Sequence, residues 1–328
     1  MTEPKPPGTD PTQLAFDRTV SETPSSERTV VEAKSEHVLP IVERSFYVRG
    51  AAIASGGMGR IIEARDTRLD RVVAIKELLV AKPQLAVRFE REVLISARLE
   101  HPSIVAVYEA GRWPDGEPFY AMKRVVGRAL DKVIEKYKTL ADRLALIPNV
   151  LAVFDALAYA HGKQIIHRDL KPANVLIGEH GETVVIDWGL AKDLGTDEES
   201  LPPRSPDAAQ TLAGAVLGTP AYMAPEQARG EVVDERADVY ALGALLYYVL
   251  AGAAPYAGES AQTILAAVKE GGAPAVRRAG VPDDLATIVE TAMARDPADR
   301  YPTARELAER SEERRVGKEC RSRWSPYH

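Results

Sequence analysis

His167-Arg168-Asp169-Leu170-Lys171-Pro172-Ala173-Asn174, followed closely by Asp187-Trp188-Gly189, is the stretch on which the reading of this chain turns. It places two carboxylates, an amide and an ammonium group within a short span, and each suits one part of phosphoryl transfer. Asp169 can orient an attacking hydroxyl and take its proton, and Lys171 can balance charge on the transferred group. Asn174 and Asp187 offer the hard oxygen ligands that suit Mg²⁺.

Working upstream, Ser55-Gly56-Gly57-Met58-Gly59 lies between two β-type runs. Alone it reads as a hairpin turn, and beside the first cluster it reads as a cover whose backbone N–H groups approach phosphates. Val73-Ala74-Ile75-Lys76 puts a lysine on the next strand, pointing opposite Ile75. A lysine in a buried strand is costly unless paired, and Glu92 on the following helix is the natural partner.

Strands are expected at 46–53, 60–64 and 71–77, the last rich in β-branched residues. A helix is expected over 84–99, with Val87, Leu94, Ile95 and Leu99 toward one side. Beyond Gly127 the pattern is helical at 128–138, 141–162, 225–229, 237–252, 260–270, 283–294 and 303–310, interrupted by short strands at 174–177 and 183–187. A β-rich first third followed by a helical remainder predicts two lobes of the α+β class.

The outer parts differ in composition. Residues 1–40 hold ten Ser/Thr and six Pro, too little apolar surface to offset ordering entropy, so 1–43 reads as a disordered N-terminal arm. Met1 opens onto TEPKPPGTDPTQ, unlike a secretory signal. The 328 residues carry 42 Lys+Arg against 48 Asp+Glu, a net charge of -6, which argues against nucleic acid as a partner. A single cysteine excludes an intramolecular disulfide and points to a reducing, cytoplasmic setting. The charge-free run Val239 to Gly258 is long enough to span a bilayer, but Gly243, Gly252, Pro255 and the abutting Asp238 make it a buried helix, so no membrane segment is expected here. Residues 311–328, SEERRVGKECRSRWSPYH, have no apolar period, and back-translation resembles the reverse complement of a common sequencing adapter. They read as an adapter-derived artefact, with the native C-terminus missing beyond about residue 310.

Taken together, the motifs resemble those of the eukaryotic-like bacterial serine/threonine protein kinases, over about residues 44–310. His101-Pro102-Ser103-Ile104-Val105 and Gly218-Thr219-Pro220-Ala221-Tyr222-Met223-Ala224-Pro225-Glu226 match as well. The resemblance implies a small β-rich N-lobe with one regulatory helix (44–122), a hinge (123–126) and a larger helical C-lobe (127–310) containing an activation segment (187–226). It implies Asp169, Lys171, Lys76 and Glu92 as catalytic residues, and Asn174 and Asp187 as ligands of Mg²⁺, with Mn²⁺ as the substitute. ATP would be contacted by Ile53, Ala54, Ser55, Gly56, Gly57, Gly59, Ile61, Ala74, Lys76, Met122 at the gatekeeper position, Lys123, Val125 and Leu176. Glu226 would pair with Arg300, and Asp238 would brace the catalytic loop. Lys171 together with Thr219 resembles Ser/Thr rather than Tyr kinases, implying protein substrates with Ser/Thr acceptors.

Three positions depart from the family pattern. Ala54 stands for the first glycine of the Gly-rich loop, which implies a tuned nucleotide affinity. Trp188 replaces the usual phenylalanine and brings an N–H that wants a partner when buried. Ser96, one turn after Glu92, puts a hydroxyl where an apolar side chain is usual. Arg168 beside Asp169 implies control by activation-loop phosphorylation, with Thr211 as the expected site. Phosphothreonine-reading domains and a kinase homodimer are partners the resemblance implies, as is membrane anchoring through a missing C-terminal region. A nucleotide-binding pseudokinase and a small-molecule phosphotransferase are the competing readings. The intact Lys76, Glu92, Asp169, Asn174 and Asp187 weigh against the first, and the peptide-docking segment against the second.

Overall fold

A computed structural model of the chain describes Met1 and residues 39–55, 59–79, 83–195, 220–276 and 280–319. The chain divides into Met1–Val38 and Leu39–His328, and all the elements belong to the second unit. Gly56, Gly57, Thr211 and Thr219 lie outside the described residues, as do most of the arm, the middle of the activation segment and residues 320–328.

Five antiparallel strands form the first lobe: β1 (Tyr47–Ser55), β2 (Gly59–Asp66), β3 (Arg71–Leu78), β4 (Val107–Arg112) and β5 (Pro118–Lys123), in the order β1-β2-β3-β5-β4. Strand β3 is central, which explains its run of β-branched side chains, and Val73 and Ile75 are fully buried. Helix α1 (Pro83–Ala97) lies across the β3-β5-β4 side.

The second lobe is helical: α2 (Leu130–Ile134), α3 (Leu140–Leu144), α4 (Ile147–Gly162), α5 (Pro225–Arg229), α6 (Glu235–Ala251), α7 (Ala261–Glu270), α8 (Asp283–Ala292) and α9 (Ala304–Glu319). Its core is centred on α4 and α6, where Phe154, Leu157, Val239, Leu242 and Leu245 are fully buried. Burying each such side chain contributes about 1.5–3 kcal/mol before entropy is counted. Short strands β6 (Gly127–Ala129), β8 (Val175–Gly178) and β9 (Thr183–Val185) form one small sheet, and β7 (Ile165–Ile166) pairs with β10 (Lys192–Asp193). These ribbons hold the loop 167–174 between them.

The two-lobed α+β architecture is therefore as the sequence predicts, and the charge-free run at 239–258 enters α6 as a buried core helix. Leu140–Gly162 is also long and apolar enough to cross a membrane by composition alone, but here α4 turns Val150, Val153, Phe154 and Leu157 into the core.

Several local expectations are corrected. The span 128–138 is a strand followed by one short helix, because Gly127–Ala129 pairs with β8. The helix expected over 141–162 breaks at residues 145–146 into two, the first opened by a Thr139/Asp142 capping box. Strands β4 and β5 were not anticipated, since neither alternates cleanly and Pro118 opens the second. On α1, Val87 and Leu94 face solvent, and the buried side carries Phe89, Glu92, Val93, Ile95, Ser96 and Leu99 just beyond. The polar Glu92 and Ser96 on that side hid its true period. Residues 39–43, assigned to the arm by composition, instead pack on the sheet, with Leu39 and Val42 buried.

Candidate active site

Between the lobes lies a cavity of about 490 Å³. Of the expected nucleotide contacts, Ile53, Ala54, Ser55, Gly59, Ile61, Ala74, Lys76, Met122, Lys123, Val125 and Leu176 all line it, together with Asn174 and Asp187. The roof comes from β1 to β3, the rear wall from β5 and the floor from β8. Ala74 and Met122 are cross-strand partners, so the small side chain and the gatekeeper side chain face the same space. Val105, Ile186 and Tyr120 also line the cavity and were not anticipated.

Within the cavity, Lys76 ion-pairs with Glu92, and its Nζ lies 3.5 Å from Asp187 Oδ1. Burial pulls the Lys76 ammonium down, but the charges of Glu92 and Asp187 outweigh it and hold the group above its ordinary value. For Asp187 burial pushes upward, yet Lys76, His167, Lys171 and the Gly189 backbone N–H together leave its carboxyl below the usual range. Both groups are therefore charged at neutral pH.

Tyr120 adds a third contact, its hydroxyl donating to Glu92 Oε1 at 2.7 Å. Lys76 and Tyr120 sit opposite each other on β3 and β5, a register that brings the hydroxyl to Glu92. At Gly189 a Cβ would come within 2.9 Å of Glu92 Oε2, so only glycine lets the Asp187 turn approach helix α1 this closely.

Beside the lining residue Asn174, the loop 167–174 folds around Asp169. Lys171 Nζ meets Asp169 Oδ2 at 2.8 Å, and Asn174 Nδ2 donates to the Asp169 carbonyl at 2.8 Å. That fixes the amide with its oxygen free for other contacts. The Asp169 N–H donates to His167 Nδ1 at 3.2 Å, which makes Nδ1 the acceptor nitrogen of that ring.

Arg168 and Asp187 both adopt φ +64°, a left-handed conformation that costs free energy in residues with a side chain. The cost at Arg168 is offset by a buried carboxylate. Asp238 accepts from the His167 N–H at 2.7 Å and the Arg168 N–H at 2.9 Å, and from His161 Nε2 at 2.9 Å. Burial pushes the Asp238 carboxyl up, but these donors, with the His161 side chain foremost, bring it below its usual value. Gln227 Nε2 donates to the Arg168 carbonyl at 2.6 Å, a contact without a sequence signal. The Arg168 guanidinium donates to the carbonyls of Leu190 at 2.6 Å and Ala191 at 3.3 Å.

Glu226 and Arg300 form a two-pronged pair, Nη1–Oε1 2.7 Å and Nη2–Oε2 2.8 Å, with the arginine also donating to the carbonyls of Ala294 and Arg236. Trp188 is buried and tilts against His167, centroids 4.6 Å apart. Its indole N–H has no partner among the described residues.

The donor set fits a hard divalent cation. Asn174 and the ionised Asp187 supply two oxygens, and among the described residues no group of three His, Cys, Asp or Glu could hold a metal alone. Two protein ligands suit Mg²⁺, which keeps waters and takes phosphate oxygens for the rest of its shell.

A five-stranded lobe and a helical lobe closing on this charge arrangement define a protein kinase domain. The model of the protein kinase domain matches residues 47–311, and the chain belongs to that family, in its eukaryotic-like bacterial branch. The chain is similar to the serine/threonine-protein kinase PknB of Mycolicibacterium smegmatis, 39% identical over 269 residues that cover 80% of this chain and 41% of that protein. The PknB of Mycobacterium tuberculosis is 38% identical over the same shares. The serine/threonine-protein kinase pkn3 of Myxococcus xanthus is 36% identical over 265 residues, 77% of this chain and 47% of the relative. The chain thus spans less than half the length of these relatives. The family uses ATP and a divalent metal in general.

Proposed function

We propose that residues 44–310 form the catalytic domain of a serine/threonine protein kinase that moves the γ-phosphoryl group of ATP to Ser/Thr hydroxyls of proteins. One observation carries this reading: Lys76, held between Glu92 and Asp187, lines the cavity together with Asn174, whose amide donates to the carbonyl of Asp169, itself paired with Lys171. A cation for the phosphates thereby lines the cavity, and a base for the acceptor lies beside it, in hydrogen-bond contact with the lining Asn174.

In this reading the adenine ring lies between Ala74 and Leu176, with the backbone of Lys123 and Val125 hydrogen-bonding its edge. Lys76 binds the phosphates, and Glu92 keeps the ammonium from collapsing onto Asp187. Asp169 orients the acceptor hydroxyl and takes its proton, and Lys171 balances charge on the group in transfer. Asn174 and Asp187 would hold Mg²⁺ or Mn²⁺, which when bound supplies positive charge at the phosphates. Cleavage at the γ-phosphorus leaves ADP, and the new bond joins phosphorus to the acceptor oxygen.

Arg168, through contacts like those with Leu190 and Ala191, ties the catalytic loop to the activation segment, with Thr211 as the self-phosphorylation site and Thr219 contacting Asp169 and Lys171. Glu226–Arg300 and Asp238 act as braces. An arm ahead of residue 39, a cytoplasmic location and signalling partners, including phosphothreonine readers and a second copy of the kinase, belong to the same proposal. So does the assignment of 311–328 to adapter sequence, which resequencing the 3′ end of the gene tests.

The function is tested by incubating the chain with Mg²⁺-ATP and protein acceptors, beside Asp169→Asn, and mapping phosphosites by mass spectrometry. Phosphate on Ser/Thr of proteins, lost in the variant, is the expected result. Transfer to small alcohols or aminoglycosides alone, or ATP binding without turnover, would overturn it.

A further inference from the structure

The residues just before the family match form a feature of their own. Leu39–Val42 runs along β4, the edge strand of the sheet: Ile41 bridges Arg112 in parallel, the Val42 N–H donates to the Arg112 carbonyl at 2.8 Å, and the Arg112 N–H donates to the Pro40 carbonyl at 2.8 Å. Val42 joins Trp113 and Phe119 in the outer core of the lobe. Arg44 then sits 4.9 Å over the Trp113 ring and pairs with Asp115 at 2.5 Å. The strap is keyed to one position. A Cβ at Gly111 would lie 2.7 Å from Val42 Cγ2 and 2.9 Å from the Pro40 carbonyl oxygen, so a side chain there cannot coexist with the strap.

Arg112 faces two ways. Its backbone holds the strap, while its guanidinium donates to the Gly116 carbonyl at 2.7 Å and ion-pairs with Glu90 on α1. Glu90 stands two residues before Glu92, about 200° around the helix. Helix α1 is thus gripped on one side by Lys76–Glu92 and on another by Arg112–Glu90, and two grips so placed fix its rotation where one would not. The fork of arginine, with separate nitrogens for the carbonyl and the carboxylate, suits this bridge as lysine does not.

We propose that Arg112 is a positioning residue for phosphoryl transfer: the strap fixes the β4 edge, Arg112 carries that placement to Glu90, and Glu90 sets the rotation of α1 that brings Glu92 to Lys76. This rests on the kinase reading for its effect on rate, but not for its effect on the helix.

The test uses the full chain as wild type, Arg112→Gln, Arg112→Lys, Glu90→Gln, Gly111→Ala and the charge-exchanged pair Arg112→Glu/Glu90→Arg. Each is measured for kcat, KM for ATP, melting temperature and hydrogen exchange over 83–97. Arg112→Gln and Glu90→Gln should each lower kcat about three- to tenfold, as expected for a partly buried ion pair, with KM for ATP changed less. Exchange in α1 should quicken, Arg112→Lys should lie between, and the exchanged pair should recover part of the loss. Gly111→Ala should reproduce the Arg112→Gln result with Arg112 in place. Wild-type kcat and wild-type α1 protection in both single variants would overturn the proposal, as would an exchanged pair that merely sums the two losses. If the wild type binds ATP without transferring phosphate, the kinase reading fails, and α1 protection in the variants alone decides whether Arg112 positions the helix.

Discussion

The catalytic loop in the C-lobe and helix α1 in the N-lobe both present charged groups to the same cleft, but they are secured by different means. The loop is braced from beneath by Asp238, buried and fed by three donors, and by Gln227, whose neighbour Glu226 pairs with Arg300, their side chains 6% and 0% exposed. Helix α1 is held by one shielded pair, Lys76–Glu92, and by pairs that reach solvent: Arg112 is 33% exposed, and Arg98, which pairs with Asp193 just beyond the helix, 53%. Buried pairs are costly to break, whereas solvent-facing pairs contribute little each and weaken with salt. The braces beneath the catalytic loop are therefore more buried than the arginine pairs that hold α1.

Asp169→Asn should have the largest effect, lowering kcat by about 10²–10⁴ while leaving the fold intact. A melting temperature equal to wild type, beside the lost turnover, separates chemistry from bracing. Glu226→Ala leaves the Arg300 guanidinium buried without its carboxylate and should cost about 3–5 kcal/mol, read from the denaturation midpoint. A loss no larger than that of Arg112→Gln would erase the contrast between the lobes.

Asp238→Asn sharpens the contrast through pH. Its carboxyl is below its ordinary value in the folded state, so its stabilisation is present above the unfolded carboxylate range and is lost as pH falls through that range toward the folded value. The stability gap between wild type and variant should be widest near neutrality and close below about pH 4. A gap independent of pH would show that the carboxylate's charge does not matter.

Salt should separate the two regions more gently. Raising it shortens the screening length from about 10 Å at 0.1 M to about 3 Å at 1 M, so exchange in α1 should quicken while residues 165–175 keep their protection. The smallest effect belongs to Trp188→Phe. It removes a buried N–H without a partner and also removes packed volume, opposing terms that should leave stability within about 1 kcal/mol of wild type.

What the sequence disclosed follows the same division. Asp169, Asn174, Asp187 and Lys76 lie in short runs of fixed chemistry that are legible in the sequence, and the last three of them line one cavity. Tyr120 and Gln227 were not, because each gains its role only when strands register or helices pack. Val87 and Leu94 misled for a physical reason: the cleft-facing side of α1 carries a glutamate and a serine, so apolar periodicity pointed to the wrong face. The strap at Leu39–Val42 was hidden by the polar composition of the residues before it, and only its pairing with the β4 backbone reveals it.

The measurement that tests the central claim most directly is the single-turnover rate of phosphoryl transfer from pre-bound Mg²⁺-ATP to a protein acceptor, for wild type, Lys76→Met and Asp169→Asn. Transfer to Ser/Thr by the wild type and a loss of at least about a hundredfold in each variant, with all three proteins folded, is the expected result. Equal rates in the three, or no transfer by a wild type that holds ATP, would contradict it.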